Sequence, residues 1–217
     1  MPDFSLYLTI APPILLALTF HEFAHGWVAD ILGDPTARLA GRLTMNPLAH
    51  LDVVGTLMLF IAHIGWAKPV PVNPNNLRNP RRDEILVSLA GAGANMLLAL
   101  LFGLLIRALD TGGPLELFTP PRPVLLMIVY GVTINLILAI FNLIPIPPLD
   151  GSHILEGILP YSLAREYRKL YRFGPALILI LVLSGYLLGI PILWWIIGPF
   201  VRYFSILFSG VDLMGSL

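Results

Sequence analysis

Between Ala11 and Ile31 the chain is almost wholly apolar, yet its middle reads His21-Glu22-Phe23-Ala24-His25. A stretch of this length and composition crosses a bilayer only as a helix, because lipid offers backbone amides no partner. On a helix the two imidazoles lie about 40° apart in azimuth and Glu22 about 60° further round, so all three share one face. Two histidines at this spacing can supply two of the three protein ligands of an open zinc site, while the carboxylate between them takes a proton from water activated beside the metal. On a soluble amphipathic helix the same letters would be a solvated polar patch. Inside an apolar span, a Glu flanked by two His is expensive and points to function.

The rest of the chain fits a membrane setting. Of 217 residues, 57% are hydrophobic and 12% charged, against roughly 25% charged in a soluble domain. Basic and acidic residues cancel at thirteen each, so nothing suggests a nucleic-acid partner. With no cysteine, any metal must be held by imidazole and carboxylate. The opening residues lack the basic start of a signal peptide, so the first apolar segment is expected to be retained.

The spans are expected as follows. Span 1 starts its regular part near Pro12 and Pro13 and ends at about Leu32. Residues 36 to 50 read as extended chain and turn, and 51 to 66 as a short or re-entrant element. Lys68 to Asn76 carries too many prolines for a helix and reads as an extended segment near the membrane. Span 2 runs from about Ile85 to Leu109, with Gly91, Asn95, Ala99 and Gly103 forming a small-residue stripe for close helix approach. A loop fills 110 to 123. Span 3, Val124 to Ile144, places Asn135 and Asn142 on one face and stops at Pro145, Pro147 and Pro148. A short helix over about 152 to 159 and a basic segment follow, and the apolar run 175 to 208 breaks at Gly185, Gly189 and Pro191 into two helices. The fold class is an all-α polytopic membrane protein: a three-helix core with a short extended or re-entrant region within residues 1–174, and C-terminal membrane helices over 175–217 packed on it.

Lys and Arg number six over residues 31–84 and four over 147–174, against none over 1–9 and one over 110–123. The basic segments belong in the cytoplasm, so spans 1 and 3 run inward and span 2 outward. Backbone stripped of amides at membrane depth must line a cavity or be buried, so Asp150, after the prolines that end span 3, is offered to the interior as third ligand. The bland reading of Asp150-Gly151 is a turn whose Asp caps the next helix.

The pairing of His21-Glu22-Phe23-Ala24-His25 with Asn142-Leu143-Ile144-Pro145-Ile146-Pro147-Pro148-Leu149-Asp150-Gly151 resembles the site-2 protease family of intramembrane zinc metalloproteases. Gly41 to His50 and Gly65 to Asn73 resemble its small prokaryotic members without PDZ or cystathionine-synthase-like domains. The likeness covers about residues 10 to 160, and the family's Gly-Pro-x-x-Asn pattern stands here as Gly91-Ala92-Gly93-Ala94-Asn95. It implies Zn2+ held by His21, His25 and Asp150, Glu22 as general base, and Asn142 binding or polarising the scissile peptide. An enzyme of this kind acts in the lipid bilayer on a transmembrane protein or peptide, and the charge distribution above puts its site toward the cytoplasmic side of the inner membrane. The competing expectation is a transporter or metal carrier built on the same His, Glu and Asp cluster. His50 and His63 are expected to be hydrogen-bonding residues at the interface, and His153 to lie near the metal ligands. Trp66, Trp194, Trp195 and Tyr203 read as interface anchors.

Overall fold

The computed structural model describes residues 4–62, 65–110 and 120–215. Its helices are α1 (Phe4–Ile31), α2 (Thr36–Leu39), α3 (Val53–Ala62), α4 (Pro80–Asp110), α5 (Arg122–Asn142), α6 (Asp150–Ile158), α7 (Tyr161–Tyr167), α8 (Gly174–Leu188) and α9 (Ile192–Ser209). Short 3-10 turns lie at Pro47–His50, Pro74–Asn76 and Arg168–Arg172. Among the described residues four helices, α1, α4, α5 and α9, are long and apolar enough to cross a membrane. The chain is an all-α polytopic membrane protein.

Three spans, α1, α4 and α5, pack against one another. The largest core joins Ala99 and Ile106 of α4 to Ile128, Val132 and Leu136 of α5 and Val201 of α9. The small-residue stripe of α4 serves two partners. A Cβ on Gly91 would collide with the imidazoles of α1, and one on Gly103 would meet Phe208 Cβ of α9 at 2.7 Å. Large apolar side chains on the other faces, among them Leu97, Leu101, Trp195 and Phe200, are exposed, as a lipid-facing belt requires.

Span 1 differs from expectation. It is helical from Phe4, straight through Pro12 and Pro13. Pro12 and Pro13 cost the helix only the amide bonds to Leu8 O and Thr9 O, a loss that membrane helices tolerate. Residues 36–50, expected to be extended, contain α2 and a 3-10 turn. The segment 51–66 matches expectation: α3 has only ten residues, and its flanks meet. Lys68 N donates to His50 O at 2.9 Å, and Leu51 and Ala67 form an isolated antiparallel bridge. A chain whose ends are paired in this way has turned back rather than crossed. Most of the loop expected over 110–123 lies outside the described residues.

The turn after α5 sets up the site. Pro145, Pro147 and Pro148 remove three amide donors, the Pro147–Pro148 bond is cis, and Tyr167 Oη donates to Pro145 O at 2.9 Å. A Cβ on Gly151 would lie 2.5 Å from Leu143 C and 2.6 Å from Ile144 O. Only glycine lets the chain fold back this tightly on the end of α5. Asp150 is thereby returned to the bundle as the first residue of α6. Arg81 Nε, donating to Gly157 O at 2.8 Å, holds α6 against the start of α4.

Candidate metal centre

His21 and His25, one turn apart on α1, meet Asp150 from the start of α6. The Nε2 atoms of the two imidazoles are 3.0 Å apart, and Asp150 Oδ2 lies 3.2 Å from that of His21 and 3.3 Å from that of His25. His21 is buried and the other two are half-buried. The helix-cap reading of Asp150 is not what is observed, since the N-cap of α6 is Leu149 and no side chain caps it.

The outer nitrogens fix what the inner ones offer. His25 Nδ1 is 2.7 Å from Val87 O, and His21 Nδ1 is 2.7 Å from Asn95 Oδ1. Both partners only accept, so both Nδ1 atoms donate, and each neutral ring presents a lone pair at Nε2. Asp150 Oδ2 is buried with no hydrogen-bond partner. Three lone-pair-bearing atoms therefore converge, a repulsive arrangement unless a cation sits among them. Ligands of a tetrahedral zinc with bonds of about 2.0–2.1 Å lie about 3.3–3.4 Å apart. The separations here are close to that, and the set of two imidazoles and a carboxylate suits zinc with an open fourth position.

Glu22 is buried next to this cluster, and its Oε2 accepts from Val70 N at 2.7 Å. Val70 belongs to the proline-rich segment after α3, which lies across α1 where Gly26 leaves room: a Cβ there would meet Val70 Cγ1 at 3.0 Å and Ala37 Cβ at 3.1 Å. The segment is held at its far end by Asp34, fully buried, whose Oδ2 accepts from Asn73 N at 2.6 Å and Oδ1 from Asn76 Nδ2 at 2.9 Å. Thr36 N and Thr36 Oγ1 also donate to it. Burial alone pushes the Asp34 carboxyl up, but donors from Thr36, Asn76 and Asn73 outweigh it and hold the group below the usual carboxylate range.

Known proteins resemble this chain over most of its length. YwhC of Bacillus subtilis, named as a zinc metalloprotease, is 36% identical over 188 residues, covering 87% of this chain and 84% of its own. Rip2 of Mycobacterium tuberculosis, named likewise, is 33% identical over 215 residues, covering 96% of this chain and 76% of its own. The model of Peptidase family M50 matches residues 112–182. The chain belongs to peptidase family M50. Rip2 of Mycolicibacterium smegmatis is more distant, 27% identical over 83% of this chain and 68% of its own. No solved structure gives a significant match. As a member of the site-2 proteases, this M50 peptidase is a metalloprotease with several membrane helices, which speaks against the carrier expectation.

The remaining polar residues of the M50 peptidase fall in several places. Asn142, the last residue of α5, is half-buried and donates from Nδ2 to Leu138 O at 3.0 Å within its own helix. His50 is buried and hydrogen-bonded as expected, with Nε2 2.8 Å from Thr44 O. His153 packs on Tyr171, ring centroids 5.9 Å apart, and is not among the three grouped ligand atoms. His63 lies outside the described residues. The four aromatic anchors are all exposed. Sequence reasoning gave no role to Asn135 or to the Val87 carbonyl, and did not place the Val70 amide on Glu22. Only Asn135 left a signal, as an amide in an apolar helix.

Proposed function

We propose that this M50 peptidase is an intramembrane zinc endopeptidase of the His-Glu-x-x-His type, hydrolysing a peptide bond within or beside a transmembrane segment of another protein. The observation that carries the reading is the approach of His21 Nε2, His25 Nε2 and Asp150 Oδ2 to within 3.0–3.3 Å of one another, beside a buried Glu22. These three residues would hold the ion. When bound, zinc supplies polarisation of the scissile carbonyl and activation of water.

Glu22 acts as general base, taking a proton from the attacking water and passing it to the leaving amine. The Val70 amide fixes Oε2 and leaves Oε1 to take the proton. Asn142 retains one amide hydrogen and its carbonyl oxygen beyond the bond to Leu138, enough to bind an extended peptide or a developing oxyanion. A helical substrate hides its own amides and must unwind before attack. An extended segment such as Lys68–Asn76 could pair main chain to main chain with such a peptide. With the Val70 amide turned inward to Glu22, that position serves the base instead. Residues 1–174 form the catalytic unit in this reading, and the distribution of Lys and Arg puts its mouth on the cytoplasmic side of the inner membrane.

Glu22→Gln tests the assignment. In liposomes co-reconstituted with single-span test proteins, the variant should keep its zinc and lose cleavage. Retained cleavage, or loss of zinc with the carboxylate, would refute the role of Glu22.

A further inference from the structure

His25 and His21 are oriented by different devices. A backbone carbonyl, Val87 O, fixes His25, whereas His21 depends on the side chain of Asn95. An amide side chain is nearly symmetric in shape, and a half-turn would swap its acceptor for a donor. A donor facing Nδ1 would force the proton onto Nε2 and close the lone pair needed for a metal.

The surroundings of Asn95 prevent that half-turn. Its Nδ2 donates to Ala17 O at 3.0 Å and to Asn135 Oδ1 at 2.8 Å. Asn135 is oriented in turn by donating from its own Nδ2 to Gly131 O at 2.8 Å. Both ends of the chain rest on backbone carbonyls, which only accept, so every amide orientation follows. Gly131 O sets Asn135, Ala17 O and Asn135 set Asn95, and Asn95 Oδ1 is left facing His21 Nδ1. Both asparagines are completely buried on membrane-crossing helices, where such polar groups are costly and mark function.

We propose that Asn95, locked in one orientation by Asn135, is the positioning residue that keeps the His21 Nε2 lone pair presented to the metal. The inference rests on the assignment of His21, His25 and Asp150 as ligands. Asn135 acts only through Asn95, so their effects on metal affinity do not add.

The test measures zinc affinity of the detergent-purified full chain by competition with a chromophoric chelator, and records the cobalt(II) spectrum of each variant. Asn95→Leu should bind zinc about 10- to 100-fold more weakly, the usual cost of losing such an outer partner, with an altered cobalt spectrum. Asn135→Leu should weaken binding less, and the double variant no more than Asn95→Leu alone. Asn95→Asp keeps an acceptor for Nδ1 and should bind far more tightly than Asn95→Leu despite losing its donor bonds. Thr133→Val, which removes another buried polar group of α5, should leave affinity unchanged. Wild-type affinity in Asn95→Leu, or additive losses in the double variant, would overturn the proposal. Should Asn95→Leu fail to fold, an Asn95→Asp protein that folds without binding zinc would do the same. A wild type that binds no zinc would overturn the ligand set itself.

Discussion

Gly91 sits behind the imidazole pair, and a single methyl there tests the geometry of the centre. A Cβ at this position would lie 2.5 Å from His25 Cε1 and 2.7 Å from His21 Cε1, with His25 Nε2 closer still. Carbon atoms pack at about 3.5 Å or more, so in Gly91→Ala the two rings must retreat by about 1 Å and 0.8 Å, or α1 and α4 must part. Parting the helices costs about 1–3 kcal/mol of overpacking. Replacing a helical glycine returns about 1 kcal/mol. The fold should therefore survive with a net loss of about 0–2 kcal/mol. Metal ligation tolerates about 0.2 Å, and a misplacement of about 1 Å costs on the order of 100-fold in rate. Gly91→Ala is thus expected to keep its helical content and melt within a few degrees of wild type, while zinc affinity and cleavage each fall about 100-fold or more. Gly93→Ala is the control: it is exposed and a Cβ there meets nothing within 4 Å, so zinc binding should be unchanged and stability slightly higher. Chelator competition and circular dichroism in detergent read both. A Gly91→Ala protein holding one zinc at wild-type affinity and cleaving normally would refute the packing argument.

Three further outcomes follow from the structure. Val70→Pro removes the amide that holds Glu22 Oε2, so cleavage should fall about 10- to 100-fold with zinc content unchanged; loss of zinc instead would mean that the segment supports the ligands rather than the base. Asp34→Asn should destabilise the protein by about 2–3 kcal/mol near neutral pH, since it weakens bonds to an ionised group. Because the folded-state pKa of Asp34 is depressed, its contribution is complete above the unfolded value of about 3.9 and is lost as pH falls through the lower folded value. The gap between wild type and variant in thermal unfolding should accordingly close in strong acid, and a gap independent of pH would contradict the clamp. Cysteines placed at Arg81 and Gly113 should be labelled from opposite faces of the membrane, and labelling from one side would overturn the proposed orientation.

The spans and the short α3 were legible because lipid imposes one rule on backbone everywhere, and apolar length reads it directly. Where the sequence misled, a local preference was overridden. Pro12 and Pro13 look like a helix start, yet α1 runs back to Phe4, since in lipid an interrupted helix still satisfies more backbone than an unwound chain. The small residues of α4 announced close packing without saying that Gly91 faces α1 and Gly103 faces α9, because a stripe gives a face and not a partner.

The candidate centre divides along a different line. His21, Glu22, His25 and Asp150 could be named because their side chains carry the chemistry and two of them share a helical face. What orients them is largely main chain: Val87 O on His25, Val70 N on Glu22, and Gly131 O and Ala17 O behind the asparagines that reach His21. A carbonyl is present at every residue, so no letter distinguishes the one that accepts from an imidazole. The partners become visible only when helices are placed, and their placement depends on glycines 26, 91 and 151, each where a Cβ would lie no more than about 3 Å from a neighbour. The glycines are therefore as specific to this site as the ligands. Substitution at Gly91 should disturb the centre before it disturbs the fold, because the added Cβ meets the imidazoles themselves while the largest core lies between α4, α5 and α9.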